Sequence, residues 1–102
     1  MIYRVILSVE ADAQLIDIYR FVAREASPAI AERFTAAIVD HCEGFETFPH
    51  RGAQRDDLRP GLRTVGFRRR VTIAFVAEQA TVVIIGVFYG GQDYEAVLLI
   101  DE

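Results

Sequence analysis

The chain has 102 residues, of which 52% are hydrophobic and 25% are charged, and this composition favours a folded globule over a disordered chain. Its length is typical of one small domain, which we expect to span residues 1–102. A single cysteine excludes a disulfide within the chain, and no stretch approaches the roughly 18 apolar residues of a membrane span. The N-terminal sequence MIYRVILS lacks the apolar run of a signal peptide, so we expect a cytoplasmic protein.

The net charge of −4 conceals three zones of different sign. Residues 1–50 carry a net −4 and residues 71–102 a net −5, whereas residues 51–70, the basic segment, hold seven of the eleven arginines against two aspartates, a net +5. Clustered like charges repel one another unless a partner screens them, so the basic segment predicts one cationic rim that binds an anionic partner. A merely solvated basic loop is the alternative.

The first half of the chain predicts one strand followed by two helices. Residues 2–8 are rich in β-branched and aromatic residues, which favours a strand. Residues 8–26 place apolar side chains at helical spacing, at Ala11, Leu15, Ile18 and Val22. Ser27 and Pro28 then suit the cap and first turn of a second helix, which must end before Pro49. Two helices so closely joined predict an antiparallel hairpin.

The second half predicts three strands. Gly52, Pro60 and Gly61 argue against a helix, so residues 49–60 are predicted to be a loop. Strands at 62–67, 69–77 and 81–89 form a predicted antiparallel meander, and the last is apolar on both faces, as in a strand covered on both sides. Residues 95–100 predict a short helix or an added strand. The fold class is therefore α+β, with the N-terminal strand, the helix hairpin on one sheet face, and the meander.

Motifs for catalysis, metal binding or cofactor binding do not emerge from the sequence. His41 and Cys42 are adjacent, so on a helix they point about 100° apart and cannot share one metal ion. The sequence contains neither GxSxG, nor a Walker lysine, nor GxGxxG spacing. We therefore predict no catalytic residue, no metal and no cofactor. The basic segment is the candidate site, because arginines bind carboxylates and phosphates through forked hydrogen bonds.

The sequences FPHRG, RDDLRPGLR, RRVTIAFV and VVIIGVFYGGQDYE, in this order of elements, resemble the ParE/RelE superfamily of toxins from bacterial type II toxin–antitoxin systems, and the ParE branch most. The resemblance implies a hetero-oligomer with a ParD-like antitoxin, whose acidic C-terminal segment folds onto the toxin. Apolar antitoxin residues would enter a groove between the helix hairpin and the sheet, and acidic ones would meet the basic segment. The predicted antitoxin contacts are Leu15, Tyr19, Phe34, Arg55, Arg59, Arg69 and Arg70.

The two branches imply different targets. ParE-like toxins inhibit DNA gyrase by binding, and the resemblance suggests target contacts at Arg63, Arg68, Arg69, Arg70, Tyr89, Gln92, Asp93 and Tyr94. RelE-like toxins cleave messenger RNA on the ribosome, for which Arg63, Arg69 and Tyr94 would be the candidates. Gly91 stands where such nucleases commonly carry an arginine, and the chain has neither a lysine nor a tail histidine. We therefore prefer a non-enzymatic gyrase inhibitor; a toxin-like fold that only binds a partner is a third reading.

Overall fold

A computed structural model describes residues 2–90 and 94–100. A short 3₁₀ turn, Gly44–Glu46, follows the second helix. In chain order the elements are β1 (Arg4–Leu7), α1 (Val9–Glu25), α2 (Pro28–Glu43), β2 (Ala53–Gln54), β3 (Leu62–Phe67), β4 (Val71–Glu78), β5 (Thr81–Tyr89) and α3 (Tyr94–Ile100). The predicted α+β class and its order of elements are confirmed, and residues 95–100 belong to a helix, not a strand.

Serine caps start both long helices where the sequence predicts them. The Ser8 hydroxyl accepts a hydrogen bond from the Ala11 N–H at 3.1 Å, and the Ser27 hydroxyl accepts one from the Ile30 N–H at 3.1 Å. Each cap satisfies a backbone donor that the helix itself leaves free. The Ser8 hydroxyl also lies 3.4 Å from the Ile85 carbonyl, to which it donates, so this cap ties α1 to β5.

The five strands form one mixed sheet in the order β1-β5-β4-β3-β2. β1 pairs in parallel with β5, and the remaining pairs are antiparallel, as the predicted meander requires. Two local predictions are wrong. Residues 49–60 were predicted to be a loop but contain the two-residue strand β2, and β4 begins at Val71, two residues later than predicted, because Arg69 and Arg70 lie in a turn.

The sheet is covered on both faces, which explains the apolar character of β5. On the first, the hairpin face, the helices pack over the sheet in a cluster of buried residues that includes Ile18, Ile38, Phe45, Ile73, Phe75 and Ile84. On the second, the α3 face, Leu62, Ala74 and Phe88 pack with Leu98 of α3. These two layers fix which side of the sheet each candidate residue reaches.

Candidate functional site

The basic segment does not form one continuous rim, so that expectation is wrong. β3 occupies six residues of it, Leu62–Phe67, which at about 3.3 Å per residue separate its two ends by about 20 Å. Arg55 and Arg59 precede β3, whereas residues 68–70 form the turn that follows it. Five of the seven arginines therefore form two groups with different surroundings, whereas Arg51 lies over the Phe45 ring and Arg63 binds the His50 carbonyl.

The first group is already bound by groups of the chain itself. Arg55 donates from Nε and Nη2 to the two carboxylate oxygens of Asp57, at 3.0 and 2.9 Å, and from Nη2 to Glu95 Oε2 at 2.6 Å. Its Nη1 donates to the Tyr94 hydroxyl at 3.2 Å, and Arg59 Nη2 donates to the Leu98 carbonyl at 3.2 Å. Two of the predicted antitoxin contacts thus hold α3 against the sheet.

The hydrogen bonds of Arg55 also stabilise its charged form. Those to Asp57 and Glu95 raise the pKa of Arg55 above its ordinary value, and the bond from Arg55 lowers the pKa of the Asp57 carboxyl. Both groups are charged at neutral pH in any case, and their pairing stabilises these charged forms further. An outside carboxylate would have to compete with two internal ones for this guanidinium.

The three residues considered for RNA cleavage lie apart. Arg63 is opposite Phe75 in the β3–β4 ladder, which places it on the hairpin face, where its Nη1 donates to the His50 carbonyl at 2.8 Å. Tyr94 lies on the α3 face, with its ring centroid 5.9 Å from that of Phe88. Arg69 lies in the turn at the far end of β3. Arg63, Arg69 and Tyr94 therefore do not surround one position.

Residues 68–70, the arginine turn, join β3 to β4 in a strained conformation. Arg68 and Arg69 have φ values of 51° and 60°, and the Arg70 N–H donates to the Phe67 carbonyl at 3.2 Å. Two consecutive positive φ values are those of a type I′ hairpin turn, which ordinarily contains Asn-Gly. Side chains other than glycine cost roughly 1–2 kcal/mol per residue in this left-handed region. The prediction that Arg69 and Arg70 belong to a strand is wrong.

Four aromatic rings lie beside the arginine turn and join the helices to this end of the sheet. The Phe34 ring centroid is 6.5 Å from that of Phe67 and 5.9 Å from that of Tyr89. The Tyr89 ring is in turn 5.6 Å from that of Phe21, a side chain that is 41% exposed. Phe34 and Tyr89, which the sequence analysis assigned to different partners, therefore belong to one surface.

Arginines stand at both ends of this row of rings. The Arg68 guanidinium carbon is 5.0 Å from the Phe67 ring centroid, and that of Arg24 is 5.9 Å from the Phe21 centroid. We call the rings, Arg24 and the arginine turn together the turn-end surface. Phe21 and Arg24 were not predicted from the sequence. The available signal was an apolar Phe21 that lies outside the buried stripe of α1 and one helical turn before an arginine.

Leu15 and Tyr19 were predicted to line a groove between the helix hairpin and the sheet, but they do not. Both line a groove of about 390 Å³ between α1 and α2. Leu15 is largely buried there, whereas Ile16 beside it is half exposed. Gln92 and Asp93, two further predicted target contacts, lie outside the described residues.

Other chemical features are sparse in the part of the chain that the structure describes. There, His, Cys, Asp and Glu side chains nowhere gather in a group of three or more that could hold a metal ion. Cys42 is buried, and desolvation raises the pKa of its thiol to about 12, which leaves it protonated and unreactive. Within residues 2–90 and 94–100, no helix has the length and apolar character needed to cross a membrane.

Comparison with known proteins identifies the family. Residues 5–94 match the family model for the ParE toxin of the type II toxin–antitoxin system, parDE. The chain belongs to the ParE toxin family. A solved chain from the chromosomal ParDE toxin–antitoxin system of P. aeruginosa is similar, with a TM-score of 0.77 and 21% identity, covering 87% of this chain and 97% of that one. At this identity the likeness concerns the fold. No curated protein sequence matches the chain at a significant level.

The arginine turn of this ParE family member can be tested by replacing its strained residues. The double substitution Arg68→Asn/Arg69→Gly supplies the residues that a type I′ turn favours, so we expect the free energy of unfolding to rise by about 1–2 kcal/mol. Urea denaturation measures the change. The matched variant Arg20→Gln/Arg33→Gln removes the same charge from exposed helix positions and should change stability little. An unchanged or lower stability of the turn variant would contradict the left-handed conformation.

His41 provides a second test, through pH. Its ring lies 5.7 Å from that of Phe45 and 5.0 Å from that of Phe67, and its buried Nε2 has no hydrogen-bond partner among the described residues. Burial, with a smaller contribution from the charge of Arg51, lowers the pKa of His41 below 6.5. As pH falls, His41 therefore takes up a proton in the unfolded chain before it does so in the folded chain. Its contribution to folding stability is complete above pH 6.5 and is lost as pH falls towards the folded-state pKa.

We expect His41→Phe to flatten the dependence of folding stability on pH between about 6.5 and 5, since its ring cannot take up a proton in either state. Urea midpoints measured across this range give the slope. His50→Gln replaces the other histidine, which is exposed, and serves as the control that shows whether the flattening is specific to His41. If His41→Phe retained the wild-type slope, another group would be responsible.

Proposed function

We propose that this ParE family member is a toxin that inhibits DNA gyrase by binding it and cleaves no bond. The separation of Arg63, Arg69 and Tyr94 supports binding over RNA cleavage. Cleavage of a phosphodiester needs a base, an acid and cations around one phosphate. Residues on opposite faces and ends of a sheet do not supply that arrangement, which favours the gyrase reading over the RelE-type one.

The turn-end surface is the proposed contact with the target. It contains four of the predicted target contacts, Arg68, Arg69, Arg70 and Tyr89. Arginine and aromatic side chains carry much of the binding energy of protein interfaces, because they combine a large apolar area with directed polar contacts. Arg63 and Tyr94, the other described candidates, lie outside this surface.

We further propose that a ParD-like antitoxin silences the toxin in a cytoplasmic hetero-oligomer. Its acidic segment would meet Arg69 and Arg70, which are exposed, in preference to Arg55 and Arg59, whose guanidinium groups bind α3. Apolar antitoxin residues would enter the groove between α1 and α2, beside Tyr19. This arrangement keeps the charge complementarity inferred from the sequence but transfers it to the arginine turn.

The test is a gyrase supercoiling assay with the purified chain, run beside a cleavage assay on ribosome-bound messenger RNA. We expect supercoiling to be inhibited and cleaved DNA complexes to accumulate, while the messages stay intact. Arg69→Glu/Arg70→Glu should weaken the inhibition about tenfold or more, whereas Arg20→Gln/Arg33→Gln should not. Cut messages with unaffected gyrase would favour the RelE-type reading, and the absence of both activities would favour a protein that only binds a partner.

A further inference from the structure

We propose that the arginine turn binds the phosphate backbone of DNA. The inference rests on the proposed function, because the DNA bound in the cell would be the segment held by gyrase. The contact itself depends only on the turn. It would make the chain a ligand of the enzyme–DNA complex, with the phosphates bound by residues 68–70.

The first support is the conformation of the turn. Arg68 and Arg69 occupy left-handed positions where glycine or asparagine would be favoured energetically. Strain of this kind persists where the residue identities serve a purpose other than stability. An Arg-Arg turn differs from an Asn-Gly turn in that it places two positive charges at the tip of the hairpin.

The second support is the contrast between the two groups of arginines. Arg55 has two carboxylates within 2.9 Å. The side chains of Arg68, Arg69 and Arg70 are exposed, and among the described residues none has a carboxylate within 4.0 Å. Arg68 additionally lies over the Phe67 ring, which restricts its guanidinium without neutralising its charge. Three adjacent positive charges are thus available to an anionic ligand.

Taken alone, the turn offers more to a nucleic acid backbone than to an acidic peptide, since the proposed antitoxin segment also has the groove between α1 and α2 for its apolar residues. Bound peptides gain affinity from apolar grooves or from open strand edges as well as from charge. The tip of a tight hairpin is convex and offers neither, and its residues 68–70 are all exposed arginines. Phosphate backbones are contacted largely through such charged side chains, which position the protein without reading the sequence.

The charge of the remaining chain limits the size of the contact. The net charge is −4 with the turn included, so the rest of the surface repels DNA. Only the turn should approach the phosphates, which restricts binding to about three charges. Each phosphate contact contributes about 0.9 to the slope of log K against log salt concentration, so we expect a slope of roughly −2 to −3.

The experiment measures binding of the full chain to a fluorescein-labelled 20-base-pair duplex by anisotropy, across a series of salt concentrations. Arg68→Asn/Arg69→Gly removes two of the three charges and should weaken binding about tenfold at low salt and reduce the slope by about two. The increase in stability expected for this variant separates lost binding from unfolding. Arg20→Gln/Arg33→Gln removes equal charge from the helices and should retain most of the wild-type affinity and slope.

Each outcome bears on the proposal. Equal affinity and slope for the wild type and the turn variant would overturn it, even if gyrase is inhibited. Binding of a labelled poly-glutamate peptide that depends on the turn, with duplex binding that does not, would also overturn it and assign these arginines to an acidic peptide. Turn-dependent duplex binding without any effect on gyrase would support the DNA contact while the proposed target fails.

Discussion

The hydrogen bonds of Arg55 determine how the charge of this protein is distributed. One guanidinium joins Asp57, Glu95 and the Tyr94 hydroxyl, and so connects the loop before β3 to α3. With Arg59 bound to the Leu98 carbonyl, this network places α3 over the second face of the sheet. The same contacts neutralise Arg55 within the basic segment. The three consecutive arginines of the arginine turn remain exposed and keep their positive charge.

The concentration of charge at the turn comes with an energetic disadvantage. Two arginines occupy positions where glycine or asparagine would be more stable, and three like charges stand side by side. The surrounding structure can hold this strain because buried residues on the hairpin face anchor β4, from Val71 at 3% exposure to Phe75 at 0%, and Val65 and Phe67 of β3 pack against the same cluster. A rigid sheet end that carries a strained, charged turn is typical of a binding site.

Local sequence signals predicted most of the architecture. Ser8 and Ser27 mark helix starts because a capping hydroxyl and its N–H partner are only three residues apart. β5 was recognisable because both of its faces are apolar and both are covered. β2 was not, since a two-residue strand exists only through its pairing with β3 and has no periodicity of its own.

The candidate site was harder to predict because its decisive contacts are distant in sequence. Glu95 lies 40 residues from Arg55, and no local pattern indicates which carboxylate folds back on which arginine. The turn was mistaken for a strand because arginine has no particular preference for a left-handed conformation, so only the pairing of Phe67 with Val71 reveals it. Phe21 joins the surface through tertiary packing against Tyr89.

The central claim is that the chain's own carboxylates hold Arg55, whereas the arginines of the arginine turn are accessible. It is tested most directly by the rates at which phenylglyoxal modifies each arginine of the native chain. Mass spectrometry of peptides from a protease that does not cleave at arginine resolves the individual positions. The guanidinium groups of residues 68–70 are exposed, so they should react many times faster than that of Arg55, which is bound by two carboxylates. Equal rates at both groups, or a faster reaction at Arg55, would contradict the account.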